Sequence, residues 1–209
     1  MTEEEARDWV VDHFGSGALP LLQRIADAVI VENERQNLIA PSTITSIWSR
    51  HIVDSAQLLL LGDPRAAGHW LDIGSGAGFP GMVVATLRDR PMQLVEVRKK
   101  RAEFLTSLAA ALGLSARVTV ISARVETLNC PASTISARAV ASLSEIFDLA
   151  EASASRTTQW ILPKGRSARE EVERARQAWH GVFHVEQSVT DPDSSIVIAS
   201  NVTRRGTQR

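Results

Sequence analysis

Trp70-Leu71-Asp72-Ile73-Gly74-Ser75-Gly76-Ala77-Gly78 is an apolar run ending in a glycine loop, with a carboxylate two residues ahead of the first glycine. A second carboxylate, Glu96, closes the next predicted strand, Gln93-Leu94-Val95-Glu96. Glycines lack Cβ, so the backbone can turn sharply at the carboxyl end of a strand and approach a ligand closely, while the amides of the following helix point into the same crevice. Acid, glycine loop and second acid together describe a pocket for a nucleotide or nucleoside.

Two readings of the glycines compete. Gly76, Gly78 and Gly81 satisfy G-x-G-x-x-G, the dinucleotide fingerprint, but Gly74 and Ser75 then stand between the strand and a turn that should begin at the strand end. Counted from Gly74, the pattern D-x-G-x-G-x-G resembles motif I of class I S-adenosylmethionine (SAM) methyltransferases. That resemblance implies a loop around the methionine and sugar of a ligand without pyrophosphate, and Glu96 accepting hydrogen bonds from both ribose hydroxyls.

Other residues carry a functional reading beside a structural one. Arg98-Lys99-Lys100-Arg101 opens a predicted helix at the positive end of its dipole, unfavourable by roughly a few tenths of a kcal/mol per charge, so an anionic partner is expected. The run is either a solvated surface or a phosphate-binding patch for RNA. Arg138 and Lys164 end the fourth and fifth predicted strands at the crevice edge, as candidates for positioning a substrate. Arg124, Val125 and Glu126 follow the third strand, where backbone amides could read an adenine edge, or Glu126 could cap a neighbouring helix. Phe79 packs a helix or covers a ligand. His51 and Asp54, one turn apart, read as a pair between the amino-terminal segment and the sheet. His180 and His184 have the helical metal spacing, but Gly181 and a strand pattern argue against it, and no metal is expected.

Missing residues narrow the chemistry. The chain has no tyrosine, which removes the Tyr-x-x-x-Lys pair of short-chain dehydrogenases, and it has no Asn-Pro-Pro-aromatic or Asp-Pro-Pro-aromatic motif of amino-group methylation. Cys130 stands outside the prolyl-loop setting of a cysteine nucleophile. The chemistry that remains is transfer to an atom already nucleophilic, such as N7 of guanine, which needs alignment and exclusion of water but no general base.

The elements that must position these groups are legible in the pattern. Thr2-Glu3-Glu4-Glu5 reads as a capping box opening a first helix that Gly15 stops. A second helix ends near Gln36-Asn37, and a third apolar stripe runs from Ile44 to Leu59. Residues 1–66 form a helical cap. From His69 strands alternate with helices, as in a doubly wound parallel sheet. Strands are predicted at 69–74, 93–97, 117–122, 133–138 and 157–163, and helices at 79–89, 99–112, 143–154 and 167–178. The runs 182–189 and 195–202 form a closing antiparallel pair within a core spanning 67–203, and 204–209 is a disordered tail.

With 209 residues, 44% apolar content and a formal charge of −1, the chain can bury one full core, and nucleic-acid binding must rest on a local patch. Its acidic start is unlike a signal peptide, no apolar run is long enough for a membrane span, and a single cysteine suits the cytoplasm. Five scattered tryptophans read as core.

Together these segments resemble the 16S ribosomal RNA guanine-N7 methyltransferase family, also called the glucose-inhibited division protein B family, from about residue 33 onward. The residues that carry the likeness are Asn37-Leu38 and Arg50-His51-Ile52-Val53-Asp54-Ser55 in the cap. In the core they are Asp72 to Gly81, Lys100-Arg101 with Phe104-Leu105, Arg124-Val125-Glu126, Ser136-Ala137-Arg138-Ala139 and Lys164-Gly165. The resemblance implies a Rossmann-like α/β fold with a mostly parallel seven-stranded sheet, and SAM as cofactor. It implies a SAM site of Asp72, Gly74, Gly76, Gly78, Phe79, Glu96, Val125, Glu126 and Arg138, and RNA contacts from Lys100, Arg101 and Lys164. The partner would be 16S ribosomal RNA or the small ribosomal subunit, met by a monomer. Glu96 stands where relatives commonly carry aspartate, and Pro163 where they carry a small or apolar residue. The alternatives left open are an NAD-dependent oxidoreductase and a non-catalytic RNA-binding module of the same fold.

Overall fold

The computed structural model describes residues 1–206. The helical cap comprises α1 (Glu3–Phe14) and α2 (Ala18–Gln36), a 3-10 turn at Pro41–Ser46, a π-helical turn at Trp48–Val53, and the short helices α3 (Asp54–Ala56) and α4 (Leu58–Leu61). The capping box is formed as the sequence predicts, with Thr2 Oγ1 accepting from Glu5 N and Glu5 accepting from Thr2 N. Helix α2 stops where Asn37 turns left-handed, at φ 51°, a conformation asparagine tolerates better than most residues.

The third stripe, predicted as one helix, is instead broken. Glu3 reaches across from α1 and accepts the amides of Trp48 and Ser49 at 3.0 and 2.9 Å, together with the Ser49 hydroxyl. Further on, Ser55 Oγ donates to the His51 carbonyl at 2.5 Å. Side chains from outside and within the segment thus take up backbone groups that a regular helix would pair internally, and such a wide turn is common at functional sites.

The core alternates β1 (Trp70–Ile73), α5 (Gly81–Leu87), β2 (Met92–Val95), α6 (Lys99–Ala111), β3 (Val118–Ile121), β4 (Thr134–Ala137), α7 (Leu143–Leu149), β5 (Gln159–Lys164), α8 (Ala168–Ala178), β6 (Trp179–Gln187) and β7 (Ser195–Arg204). The order across the single sheet is β3-β2-β1-β4-β5-β7-β6. The first five strands run parallel, and β7 and β6 close the sheet antiparallel. The predicted helix 143–154 ends at Leu149 and continues as a 3-10 turn, Glu151–Ser153. Strand β7 runs through Arg204, whose guanidinium meets Asp148 and Glu151. The start of the predicted disordered tail is therefore strand, because an ion pair anchors it; the tail's last residues, 207–209, lie outside the described residues.

One apolar cluster joins the cap to one face of the sheet: Leu22, Ile25, Trp48 and Ile52 share it with Met82, Val83, Leu94 and Leu105. A second, under α7 and α8, holds Phe147, Trp160 and Trp179. Four of the five tryptophans are buried, as expected of core residues.

Candidate active site

Parallel register decides which side chains meet. Ile73 lies opposite both Val95 and Ala137, so the next residue of each strand, Gly74, Glu96 and Arg138, leaves the sheet at the same carboxyl edge. Ligands of open α/β sheets bind there.

The loop between β1 and α5 depends on its glycines. Gly74, Gly76 and Gly78 have φ of 67°, 54° and 95°, conformations that cost a residue with Cβ of the order of 1–2 kcal/mol each. A Cβ on Gly74 would come within 2.7 Å of Val140 Cγ2. Gly76 N donates to Glu96 Oε2 at 3.0 Å and Arg98 N to Oε1 at 2.8 Å, so Glu96 ties the loop to the start of α6. Part of the anionic compensation expected at the Arg98–Arg101 run is therefore Glu96 itself. Lys99 pairs with Glu103 at 3.8 Å, and Lys100 is exposed.

Asp72, expected in the cofactor site, is fully buried behind the loop. Its Oδ1 accepts from the Ser136 hydroxyl at 2.6 Å and its Oδ2 from Gly81 N at 3.2 Å. Ser136 sits directly opposite in the β1–β4 register and is itself donated to by Trp70 Nε1 at 2.8 Å. Burial pushes the Asp72 carboxyl up to about 6, against the lowering pull of those hydrogen bonds and of the Arg138 charge. The carboxylate thus shapes the loop from inside. Gly81 is required for the same packing, because a Cβ there would lie 2.3 Å from Leu94 Cδ2 and 2.7 Å from Asp72 Oδ2.

In front of the loop opens a cavity of about 620 Å³, lined by Gly74 to Ala77, Phe79 and Arg138 from the core and by Leu38, Arg50, His51 and Asp54 from the cap, a volume typical of small-ligand sites. Arg138 organises it. Its Nη1 donates to Asp54 Oδ2 at 3.0 Å and to the Arg50 carbonyl at 3.2 Å, and its Nη2 donates to His51 Nδ1 at 3.0 Å. A guanidinium only donates, so His51 Nδ1 is the acceptor and Nε2 carries the proton it gives Thr43 Oγ1 at 2.9 Å. Burial, with Arg138 and Arg50 adding to it, lowers His51 to about 3, so the ring is neutral. Phe79 stacks on it, centroids 5.0 Å apart. His51 and Asp54 do not bond to each other as predicted; both hold Arg138.

At the far wall Lys164 is not a free surface cation. Its ammonium meets Glu171 at 2.9 Å and the Ala141 carbonyl at 2.6 Å, with 8% of the side chain exposed. Glu171 in turn accepts from Leu143 N at 3.1 Å. The pair clamps the β4–α7 loop in which Ala139 takes φ 55°. Arg101 lines the mouth and donates to the Asn37 carbonyl at 3.3 Å. Val125 is buried in a 3-10 turn and Glu126 is exposed beside it; neither lines this cavity.

The family described as rRNA small subunit methyltransferase G matches residues 18–195. Proteins named Ribosomal RNA small subunit methyltransferase G from Rhizorhabdus wittichii and Zymomonas mobilis are 48% and 42% identical, covering 99% and 97% of this chain and 96% and 95% of their own. The chain belongs to the rRNA small subunit methyltransferase G family. Among solved structures it is similar to a SAM-dependent methyltransferase from Aquifex aeolicus (TM-score 0.58, 13% identity, 80% of this chain and 96% of that one). It is also similar to an O-methyltransferase from Bacillus cereus in complex with SAH (TM-score 0.59, 15% identity, 92% and 96%). At these identities the likeness is one of fold, and that fold is the Rossmann-like one expected. Within the family frame, the cap's Arg50 to Asp54 segment is the part of the site that the residue pattern pointed to without its role, since its partner Arg138 lies 84 to 88 residues away along the chain. Among the described residues no metal-binding group occurs, and no helix is long and apolar enough to cross a membrane.

Proposed function

We propose that the chain moves the methyl group of SAM to N7 of a guanine in 16S ribosomal RNA, acting as a monomer in the cytoplasm. One observation carries the choice of atom: among the described residues, every titratable side chain lining the cavity is already engaged. His51 uses both ring nitrogens, Asp54 and Arg138 hold each other, Lys164 and Glu171 do the same, Arg50 meets Asp191 and Arg101 meets a carbonyl. No group stands ready to take a proton. An acceptor that loses a proton on methylation would need one; the exposed lone pair of N7 does not.

The residues present fit SAM. The positive-φ glycine loop gives a cradle with no side chain, and each oxygen of Glu96 accepts one amide and keeps a lone pair for a ribose hydroxyl. When bound, SAM supplies an electrophilic methyl group on a sulfonium. The chain's own part is to hold donor and acceptor in line and to keep out water. Phe79 and Arg138 form part of the wall beside the loop, and Val125 and Glu126, outside this cavity, are assigned to the adenine. Arg138 is engaged at both terminal nitrogens, which suits N7 transfer, because a bidentate arginine on O6 and N7 would block the reacting lone pair. The N7 edge of A-form RNA faces a groove too deep and narrow to enter, so the target base must lie in a loop or be turned out of its stack. Arg101 at the mouth and its exposed neighbour Lys100 are assigned to flanking phosphates, and Lys164 to holding the loop.

Incubating the protein with methyl-labelled SAM and 16S ribosomal RNA, followed by strand scission at N7-methylguanine, tests donor, acceptor and atom together. Label in RNA without scission would overturn the N7 assignment; no label, with tight NAD binding in calorimetry, would favour the oxidoreductase. K100A/R101A should weaken RNA binding and leave SAM affinity unchanged.

A further inference from the structure

The turn between β6 and β7 carries two carboxylates, Asp191 and Asp193, and both are occupied by arginines from other elements. Arg50 of the cap meets Asp191 Oδ2 at 2.5 Å, and Arg166 at the head of α8 meets Asp193. The turn is prepared for this by its own bonds. Asp193 N donates to Asp191 Oδ1 at 2.9 Å, which leaves Oδ2 for Arg50. Gln187 Nε2 donates to the carbonyls of Asp191, Pro192 and Ser194 at 3.2, 3.0 and 2.7 Å. The turn is also fixed to the cap, since buried Gln57 accepts from Val189 N at 3.0 Å and donates to Ser188 Oγ at 3.0 Å.

Its position makes these ion pairs more than surface decoration. Arg50, Thr190, Ser194 and Gly165, the neighbour of Arg166, all line the cavity. Thr190 Oγ1 donates to Asp54 Oδ1 at 3.2 Å, the carboxylate that also holds Arg138, and the Arg50 carbonyl accepts from Arg138. Both arginine side chains stay substantially exposed, 48% and 80%, and exposed ion pairs add little to stability. Holding one cation at the mouth of a site and a second one residue away from its wall, at almost no energetic gain, is what a displaceable stand-in does.

We propose that Arg50 and Arg166 form a binding site for backbone phosphates of the RNA substrate, and that Asp191 and Asp193 occupy it until the RNA displaces them. Resting on the methyltransferase reading above, this names the cations that read the strand beside the target base. The carboxylates act as an internal competitor. A weak or misplaced polyanion does not displace both, and a strand that does lies beside a turn that stays bonded to Asp54 through Thr190, on an Arg50 whose carbonyl holds Arg138.

The test uses the full chain and a 16S ribosomal RNA fragment that the unaltered protein methylates. D191N/D193N keeps the Oδ1 acceptor that shapes the turn and removes both charges. It should bind the fragment about three- to tenfold more tightly, and heparin more tightly by at least as much. R50Q/R166Q should bind the fragment at least tenfold more weakly, and the slope of log K against log salt should flatten by about 1.4, about 0.7 for each lost single-strand phosphate contact. R65Q, an exposed arginine at the opposite edge of the sheet, serves as control, and SAM affinity should be constant in it and in D191N/D193N. If the carboxylate variant binds RNA no better, or the arginine pair matters no more than Arg65, the stand-in is refuted while the methyltransferase reading stands. If the unaltered chain methylates no 16S ribosomal RNA, both fall.

Discussion

Asp72 and His51 are both buried and pull stability in opposite directions with pH. Asp72 is raised from 3.8 to about 6, chiefly by burial. Between those values the folded state keeps a proton the unfolded state has released, so stability falls as pH rises, by about 3 kcal/mol in all at about 1.4 kcal/mol per unit. His51 is lowered from 6.5 to about 3, also chiefly by burial. From about 3 to 6.5 the unfolded state takes a proton the folded state refuses, so stability falls as pH drops. Urea unfolding from pH 4 to 7 separates the two. D72N should lose stability toward acid, with the His51 slope exposed, whereas H51Q should lose it toward neutrality. Identical profiles for the two variants would remove this account. Arg138→Lys keeps a charge but not the fork that meets Asp54, His51 and a carbonyl at once; kcat should fall at least about tenfold, with stability lowered by about 1–3 kcal/mol as a half-buried acceptor set loses partners. None of these partnerships was legible in sequence. The family signature from Arg50 to Asp54 is visible in the sequence, but its role depends on a guanidinium that only the fold brings there.

At the scale of elements the sequence is far more readable, because most of the parallel strands are short, largely apolar runs stopped by glycine or charge and each helix carries its stripe. Most boundaries moved by one or two residues, as at α5, which starts after Pro80, and the larger shift, at α7, comes where the chain tightens into a 3-10 turn beyond Leu149. The third cap segment departs from its sequence pattern for a specific reason. Its stripe fits a regular helix, whereas the π turn is drawn open by Glu3 from the far end of the cap and by the Ser55 hydroxyl. Gly81 belongs to this scale too. Its absent side chain lets α5 lie against β2, so G81A should cost about 2–3 kcal/mol by overpacking, measured by chemical denaturation. Gly165, with open space where a Cβ would stand, should change by less than about 0.5 kcal/mol on the same substitution.

Over the whole molecule, cap and core are not separable bodies. The apolar cluster that Leu22, Trp48 and Ile52 share with Met82 and Leu94 runs across the boundary between them. Removing residues 1–66 would strip one face of the sheet, so the remainder should be insoluble or molten. The intact chain should unfold in one transition, with circular dichroism and the fluorescence of its five tryptophans superimposable. Two separated transitions would show that the cap melts by itself.

A shared interior also limits how anything reaches the cavity. Walls built from one continuous packing cannot swing apart as two lobes do around a hinge. Admission is left to side chains, and the envelope of the protein should not change when the pocket fills. Small-angle scattering curves recorded with and without the methyl donor should therefore overlay, and a contraction of the radius of gyration would mean that the halves close like jaws after all.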